Sequence, residues 1–545
     1  MPNSRHHLFD LMLLTVLAAL VFSIFIAHLP LDTQEAYIIR GVQEMYHLDE
    51  WQISRLNGSP TLITPPLFYW ISAGVAAIFG NISEIQPWQA RLPSVLSGIA
   101  LVLLIVQLGT QLFNRPTGWI AGLIATSTVG LFNYGHSARP DALNALLCTV
   151  AIGLFIYCFK IHLDPRKSNR WPAYAMWSML ALACLTTGSQ WPAILVVTMV
   201  VFLSIQRISW HMAFDMVRPV DGTVIFFLIT GGWIAWAGSA VGYGQAAAAL
   251  YLNDWALSPW NTFGFYFYSS LQLVLPWLVI IPTTLILTWR DRANPATVGL
   301  ALLFVLPASL LNFSDTLDCE NMLPSIGPMV ILMSRGALSI FNPANNLPAR
   351  WVRLVLPGHA LVITAFLAWI LGGWSEVPGV TPAILVTLAG TLATVFGINL
   401  LPLRRPAADL IALTMIFITL LIGTANSRRI WNESRFQSQA LALSIAEQID
   451  EKAYFATWDI RAPALPYYLQ RMVVKLPAAI QPDELLHHHG EDKWFLLLHD
   501  DQIATLPPEL QPRIVKRFPD YHSGPISLLE LTPKLETTPE AAVAK

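Results

Sequence analysis

Long apolar runs recur along most of the chain and constrain its fold more than any other sequence feature. They lie at approximately 11–29, 92–113, 117–134, 141–159, 172–187, 190–206, 222–243, 264–289, 297–312, 322–340, 354–374, 381–401 and 407–425. A helix that crosses a bilayer needs about 20 mostly apolar residues. Only 12% of the 545 residues are charged and 54% are hydrophobic, which excludes an ordinary soluble protein and a disordered chain. The sequence therefore predicts a polytopic α-helical membrane protein with about 13 transmembrane helices.

The distribution of Lys and Arg predicts how these spans are oriented. We place the N-terminus in the cytoplasm and treat the run 66–79 as non-spanning, because it is short for a span and more typical of an interfacial or re-entrant helix. Most Lys and Arg residues between the spans then lie on the cytoplasmic side, as the positive-inside rule requires. This topology places a first loop, 30–91, and a C-terminal segment, 426–545, on the outer face.

The C-terminal segment, 426–545, breaks the apolar pattern. It contains a stretch with helical spacing at 438–449, followed by β-like runs at 453–457, 472–476, 494–498 and 526–531. We therefore predict two domains, which are a transmembrane domain at 1–425 and a small soluble α/β domain at 426–545 on the outer, periplasmic face.

Cofactor motifs are missing from the sequence. It contains neither a phosphate-binding loop nor a Gly-x-Gly-x-x-Gly fingerprint, which argues against a nucleotide-driven pump. A net charge of -2 gives no reason to expect nucleic-acid binding. The sequence does not establish any cofactor. A divalent metal stays open as an alternative, because an outer turn carries Asp315, Asp318 and Glu320.

Three carboxylates lie beside predicted helix ends at the outer membrane surface, namely Asp32, Glu35 and Asp141. An ionisable group at that position is costly unless it has a function. Such a carboxylate could act as a general base toward a hydroxyl or amine acceptor. The alternative that any one of these acids is an ordinary solvated charge stays open.

Five short motifs follow one another in the N-terminal part of the chain. They are Asp32-Thr33-Gln34-Glu35-Ala36-Tyr37, Arg55-Leu56-Asn57-Gly58, Thr64-Pro65-Pro66-Leu67-Phe68-Tyr69-Trp70, Ala90-Arg91-Leu92-Pro93-Ser94 and Ala138-Arg139-Pro140-Asp141-Ala142-Leu143. Their order and spacing resemble bacterial members of the protein O-mannosyltransferase superfamily, and in particular its lipid A aminoarabinose transferase branch. The resemblance is clear over about 1–200 and continues weakly to about 340.

The resemblance implies a GT-C fold with two juxtamembrane helices in the first outer loop, at roughly 35–46 and 66–79. It also implies a glycosyltransferase of the bacterial inner membrane. The implied donor is a sugar on a polyprenyl phosphate, such as undecaprenyl phosphate, and the implied acceptor is a periplasmic glycolipid or protein. The implied catalytic residues are Asp32, Glu35 and Asp141.

A second set of residues is implied in binding the donor phosphate or the substrate. These residues are Arg139, Arg55, Gln34, Tyr37 and Thr64. Among them, Arg139 could offset the charge of the donor phosphate.

The sequence departs from the family pattern at several of these positions. Gln34 replaces the usual Asp, and an amide cannot serve as a base. Thr64 and Thr187 replace usual Lys residues, and the turn 314–320 is acidic where Lys and Arg are usual. These departures keep a second hypothesis open, namely a catalytically degenerate GT-C protein that binds or scaffolds a partner. A transporter is a third hypothesis, which the scarcity of charge inside the predicted spans disfavours.

Overall fold

The computed structural model describes most of the chain. The described residues are 4–29, 31–56, 59–61, 64–162, 169–251, 264–313, 318–341, 411, 413–426, 438–450, 453–460, 465–471, 473–476, 494–506, 512–519 and 524–531. They belong to two compact units. The first unit comprises Met1–Leu29, Gly41–Ser54 and Pro60–Arg428, and the second comprises Pro30–Arg40, Arg55–Ser59 and Arg429–Lys545.

Helices dominate the part of the chain before residue 342. In chain order they are α1 Ser4–Ser23, α2 Thr33–Leu48, α3 Leu67–Phe79, α4 Pro87–Leu112, α5 Arg115–Thr126, α6 Val129–Gly135, α7 Asp141–His162, α8 Trp171–Thr187, α9 Gln190–Ile205, α10 Trp210–Val217, α11 Pro219–Val241, α12 Tyr243–Tyr251, α13 Phe265–Leu273, α14 Ile281–Arg290, α15 Pro295–Leu310 and α16 Ile326–Phe341. Short 3-10 helices are Ile82–Glu84, Trp277–Ile280, Leu311–Phe313 and Cys319–Ser325, and the strands β1 Ser54–Leu56 and β2 Ser59–Thr61 form a two-stranded sheet.

Several of these helices are long and apolar enough to cross a membrane. Within the described residues they are Pro87–Leu112, Asp141–Ile161, Trp210–Val241, Pro295–Phe313 and Cys319–Ile340, and a bent helix pair would make a sixth. The chain is therefore a multi-pass helical membrane protein, as predicted. The number of thirteen spans stays a prediction, because the predicted spans 354–374 and 381–401 lie outside the described residues.

Two other predicted spans, 117–134 and 264–289, are interrupted rather than continuous helices. The first divides into α5 and α6 at Ser127 and Thr128. Their hydroxyl groups donate to the carbonyls of Leu123 at 2.8 Å and Ala125 at 2.9 Å, which competes with regular helix formation. The second divides beside Pro276, which lacks an N–H donor, and its two halves are bent by 111°.

The two helix breaks contact each other. The backbone N–H of Val129 donates to the carbonyl of Leu275 at 2.9 Å. The indole N–H of Trp277, a fully buried side chain, donates to the Ser127 hydroxyl at 3.0 Å. Backbone groups released by one break are therefore satisfied by the other, as an apolar environment requires.

The hairpin of α4 and α5 depends on small residues. A Cβ atom on Gly118 would lie 2.3 Å from the carbonyl oxygen of Val106, and one on Gly109 would lie 2.9 Å from the Gly118 Cα. Neither contact leaves room for a side chain. Close backbone approach through small residues is typical of helix packing in membranes.

The C-terminal part contains a five-stranded mixed sheet. Its elements are the helices α17 Leu413–Asn426, α18 Ser438–Ala446 and α19 Leu465–Tyr468, the 3-10 helix Asp500–Thr505, and the strands β3 Tyr454–Trp458, β4 Val474–Leu476, β5 Trp494–His499, β6 Arg513–Phe518 and β7 Ile526–Leu531. The strand order is β4-β3-β5-β7-β6, with β3 parallel to β4 and β5, and β7 antiparallel to β5 and β6. This pattern confirms the α/β character predicted for the tail.

Both faces of the sheet are buried at its centre. On one face, Phe455 and Leu497 pack with Leu441 of α18. On the other, Leu496 packs with Trp458. Burial on both faces explains why β5 reads as a continuous apolar run. The strand β6, Arg513–Phe518, lies at the edge of the sheet and is exposed or half-buried along its length. Its charged residues mask the alternation that would have predicted it from the sequence.

Candidate functional site

A short turn, 136–140, joins α6 to α7 and carries the last of the five motifs. Asp141 is the first residue of α7. The hydroxyl of Ser94 on α4 donates to the backbone carbonyl of Arg139 at 2.8 Å, which ties this turn to the preceding motif. Arg91 of that motif has a structural role. It is fully buried and donates to the carbonyls of Ile26 at 2.7 Å and Leu29 at 3.0 Å.

Arg139 is the centre of a group of charged side chains. Its Nε donates to the Asp141 Oδ2 at 2.9 Å, and its Nη2 contacts the Glu320 Oε1 in a second ion pair. The guanidinium also lies over the ring of Tyr134, 5.1 Å from the ring centroid. The side chains of Arg139, Asp141 and Glu320 are only 12–14% exposed, so their interactions are little screened by solvent.

Glu320 reaches this group from a distant part of the sequence. It belongs to the 3-10 helix Cys319–Ser325, which leads directly into α16. Its Oε2 accepts a hydrogen bond from the Tyr134 hydroxyl at 3.0 Å, and that hydroxyl lies 3.1 Å from the Cys319 sulfur. We call Tyr134, Arg139, Asp141, Cys319 and Glu320 the Arg139 cluster.

The charges of the Arg139 cluster are unequal. In its described contacts, two carboxylates pair with one guanidinium. The guanidinium lies between Asp141 and Glu320, where an ion bridging the two carboxylates would have to sit. The described residues contain no group of three or more His, Cys, Asp or Glu side chains suited to a metal ion. A metal held by the acidic turn stays a prediction, because 314–317 lie outside the residues that the structure describes.

Asp32 and Glu35 lie in the second compact unit, at the start of α2. The Glu35 N–H donates to the Asp32 Oδ1 at 2.8 Å, and the Asp32 N–H donates to the Glu35 Oε2 at 3.1 Å. This reciprocal pair is a capping box, which satisfies two free N–H groups at the helix start. Glu35 is buried and Asp32 is half-buried. The spacing Asp-x-x-Glu is the sequence signature of this capping role, which was not among the predictions from the sequence.

The predicted binding residues differ in exposure. Gln34 is exposed on α2, whereas Tyr37 and Arg55 are half-buried. Thr64 and Ser54 hydrogen bond to the Tyr69 phenol. Burial raises the pKa of Tyr69, and those two hydrogen bonds oppose the increase in part. The Thr64 hydroxyl therefore helps to hold α3 in place, and its role toward a donor stays a prediction.

Tyr134 and Glu320 are the candidate site residues that sequence reasoning missed in this role. The sequence analysis read Tyr134 as the end of an apolar run. It read the Cys319–Glu320 turn as a departure from the expected basic pattern. Arg139 and Glu320 are 181 positions apart, so no local sequence pattern connects them.

Two solved structures have a fold similar to that of this chain. ArnT from Cupriavidus metallidurans bound to undecaprenyl phosphate superimposes with a TM-score of 0.74 at 17% identity, covering 95% of this chain and 97% of that one. An Archaeoglobus fulgidus oligosaccharyltransferase in its apo form superimposes with a TM-score of 0.54 at 12% identity, covering 92% of this chain and 70% of that one. The chain therefore has the GT-C membrane fold that the sequence predicted.

Sequence comparisons point to one branch within that class. A family model described as dolichyl-phosphate-mannose-protein mannosyltransferase matches residues 64–236. The undecaprenyl phosphate-alpha-4-amino-4-deoxy-L-arabinose arabinosyl transferase 1 of Pseudomonas fluorescens (strain Pf0-1) is 24% identical over 351 residues, which cover 60% of this chain and 57% of that protein. The corresponding transferase of Pseudomonas paraeruginosa (strain DSM 24068 / PA7) is 24% identical over 456 residues, covering 78% of this chain and 75% of that protein.

These comparisons confirm the predicted resemblance to GT-C glycosyltransferases of the lipid A aminoarabinose transferase type. The match to the first of these relatives spans little more than half of that protein's length. Because the relatives are named as transferases, the comparisons favour the enzyme hypothesis over that of a degenerate scaffold.

Proposed function

We propose that the chain is a membrane glycosyltransferase that moves a sugar from a polyprenyl-phosphate donor to a periplasmic glycolipid or protein. The observation that supports this most is the Arg139 cluster, in which half-buried carboxylates and a guanidinium meet at the ends of membrane helices. Ionisable groups at such positions are costly and usually functional. The relatives are named for undecaprenyl phosphate-alpha-4-amino-4-deoxy-L-arabinose, so this compound is the first donor to test, with a lipid A-type acceptor.

The reaction is an inverting displacement at the anomeric carbon of the sugar. The acceptor oxygen or nitrogen forms a bond to that carbon while the bond from the carbon to the phosphate oxygen breaks. The polyprenyl phosphate leaves with the bonding electrons, and a carboxylate takes the acceptor proton. We assign proton removal to Asp32 or Glu35, at the start of the first outer loop.

Arg139 offsets the charge on the departing phosphate in this mechanism. Asp141 accepts a hydrogen bond from the Arg139 Nε and so fixes the plane of the guanidinium. Arg55, Gln34, Tyr37 and Thr64 complete the proposed donor and substrate contacts. A pre-oriented guanidinium costs little reorganisation when the phosphate arrives.

The unequal charge of the Arg139 cluster bears on the identity of the sugar. Two carboxylates and one guanidinium leave an excess of negative charge among the described contacts. Such a site favours a sugar that carries an ammonium group over a neutral sugar. Transfer rates for two lipid-linked donors that differ only in this amine test the preference. Equal rates for the two sugars would contradict it.

We place the protein in the bacterial inner membrane, with thirteen spans and with the first loop and the C-terminal α/β domain in the periplasm. The positive-inside distribution of Lys and Arg supports this orientation. A reporter enzyme that is active only in the periplasm, fused after Lys545, tests it. Activity confined to a cytoplasmic reporter at the same position would overturn the proposed topology.

The decisive experiment uses purified protein with a labelled lipid-linked sugar. Conservative variants keep the local structure, because Asn caps a helix as well as Asp does and Gln preserves a capping box. We expect either Asp32→Asn or Glu35→Gln to lower the transfer rate by about 10²–10⁴-fold, because one of these carboxylates takes the acceptor proton. Asp141→Asn should also lower the rate, because a neutral amide oxygen accepts a weaker hydrogen bond from the Arg139 Nε.

The matched control is Asp291→Asn. Asp291 pairs with Arg335 at 2.7 Å in another part of the same unit. We expect this variant to retain activity within about threefold of wild type. If no lipid-linked sugar in a broad panel is consumed, or if all three conservative variants match wild type, the transferase proposal fails and the scaffold hypothesis takes its place.

A further inference from the structure

A groove of about 280 Å³ lies among α4, α7, α9 and α15. It is near the end of α7 opposite to Asp141. Asp141 begins that helix, and Lys160, which lines the groove, comes 19 residues later. At a rise of about 1.5 Å per residue the two positions are about 28 Å apart, close to the thickness of a bilayer's hydrocarbon core. The groove is therefore a separate feature from the Arg139 cluster.

Apolar side chains form most of the groove wall. Phe155 and Phe159 of α7 both pack edge-to-face on Phe202 of α9, with ring centroids 5.9 Å and 5.4 Å apart. Gly299 of α15 lies close to Phe202, because a Cβ atom there would be 3.3 Å from the Phe202 ring. From Ile152 to Lys160 the wall extends about 12 Å along α7, enough for a substantial part of an acyl chain.

The end of the groove near Lys160 is polar and positive. The Lys160 ammonium donates to the carbonyl of Gln111 at 3.1 Å, and its described contacts use one of its three donors. Asn294, Pro295 and Ala296, which begin α15, line the same groove. Pro295 has no N–H, and the Ala296 N–H donates to the Asn294 Oδ1 at 3.0 Å, so the positive charge at this end of the groove comes from Lys160.

We propose that this groove binds an anionic membrane phospholipid. The acyl chain packs against Phe155, Phe159 and Phe202, and the phosphate lies at Lys160. The apolar wall on membrane-spanning helices favours a lipid over a soluble anion, and the positive end supplies charge complementarity to an anionic headgroup. A basic side chain near a membrane surface attracts anionic lipid in the same way. The proposal does not depend on transferase activity.

Native mass spectrometry of the full-length protein, released from nanodiscs of equal parts phosphatidylglycerol and phosphatidylcholine, tests the proposal. We expect wild type to retain phosphatidylglycerol preferentially. Lys160→Gln should lower the retained ratio of the two lipids about fivefold, which is the contribution of one basic side chain near a membrane surface. Gly299→Leu, which fills the groove, should lower the retention of both lipids. Arg292→Gln is the matched control, because Arg292 lies just before α15 but does not line the groove.

Three outcomes would overturn the proposal. They are equal retention of the two lipids by wild type, an unchanged ratio in Lys160→Gln, and full lipid retention in Gly299→Leu. A second measurement covers the case in which Gly299→Leu does not fold. A phosphatidylglycerol with a photoreactive group on its acyl chain should crosslink wild type on α7, α9 or α15, and crosslinks confined to other helices would contradict the proposed site.

Discussion

The helical unit contains two ion-pair clusters that can be compared directly. The first is the Arg139 cluster, and the second, which we call the Arg335 cluster, comprises Phe113, Asp291, Thr297 and Arg335. Arg335 contacts the Asp291 Oδ2 at 2.7 Å and the Thr297 hydroxyl at 2.9 Å, and it lies 4.2 Å from the centroid of the Phe113 ring. The Thr297 hydroxyl in turn donates to Asp291 at 2.8 Å.

The clusters differ in charge balance and in burial. The Arg335 cluster pairs one carboxylate with one guanidinium, and the charged side chains are 24–34% exposed. The Arg139 cluster pairs two carboxylates with one guanidinium at 12–14% exposure. A balanced, partly solvated pair is sufficient to join α16 to the α14–α15 turn. An unbalanced and more deeply buried set costs folding free energy, which is the pattern expected of a functional site.

Replacing each arginine by glutamine should separate the two clusters most clearly. Arg139→Gln leaves two largely desolvated carboxylates without their cation, so we expect it to lower the free energy of unfolding by about 3 kcal/mol. Arg335→Gln removes a partly exposed pair, and we expect a loss of about 1 kcal/mol at most. Thermal unfolding of both variants in one detergent measures the difference.

A second substitution shows whether charge is the cause. Adding Glu320→Gln to Arg139→Gln removes one of the two unpaired carboxylates, so the double variant should be more stable than Arg139→Gln alone. Equal stability losses for Arg139→Gln and Arg335→Gln, or no recovery in the double variant, would contradict this account of the cluster.

Glu320→Gln alone should change donor binding. Gln keeps an oxygen that can accept the hydrogen bond from the Tyr134 hydroxyl. It removes one negative charge beside Arg139. Because a nearby carboxylate opposes an anionic phosphate, we expect the KM for a lipid-linked donor with a neutral sugar to fall by about tenfold. Steady-state kinetics against donor concentration measures it, with Glu320→Asp as the variant that keeps the charge. A higher donor KM in Glu320→Gln would show that Glu320 assists donor binding instead.

The sequence predicted those features that depend on local pattern. Alternating or continuous apolar residues located the strands β3, β4, β5 and β7, and helical spacing located α18, whereas α2 was implied by the family resemblance. The outer-loop helix at 66–79 is likewise present as α3, Leu67–Phe79. Each of these elements buries an apolar face, and the periodic spacing of apolar residues in the sequence indicates such a face.

Features that depend on distant contacts were not predictable in this way. The breaks in the spans at Ser127 and Pro276 are stabilised by each other across 150 positions of sequence. Likewise, Glu320 became a partner of Arg139 only once the fold was known. The sequence predicted that the acidic turn lacks the cations usual at a donor site, whereas the structure shows that one of its acids pairs with Arg139.

The Arg335 cluster predicts a pH-dependent stability effect. Burial raises the pKa of the Asp291 carboxyl, but hydrogen bonds from Thr297 and Arg335 outweigh burial and hold the pKa below its usual value. A lowered folded-state pKa stabilises the fold above the unfolded pKa of about 4, and this contribution is lost as the pH falls through the folded pKa. We expect Asp291→Asn to be less stable than wild type by roughly 1 kcal/mol at pH 7.

Unfolding midpoints of wild type and Asp291→Asn, measured from pH 7 down to about pH 3, test this effect. The difference between them should be constant above about pH 5 and should shrink at lower pH. A difference that grows as the pH falls would mean that the pKa of Asp291 is raised on folding rather than lowered.

The smallest expected effect concerns the link between two of the sequence motifs. Ser94 donates to the backbone carbonyl of Arg139, whereas Ser97, one turn later on α4, donates to the carbonyl of Pro93 in its own helix. Both hydroxyls make one hydrogen bond, so Ser97→Ala is a matched control for Ser94→Ala. Each variant should lose about 0.5–1.5 kcal/mol of stability or less. Only Ser94→Ala loosens the turn that carries Arg139, so it alone should also lower the kcat/KM of transfer, by about fivefold. Equal activity in the two variants would show that contacts of the Arg139 side chain, without the help of α4, are sufficient to position it.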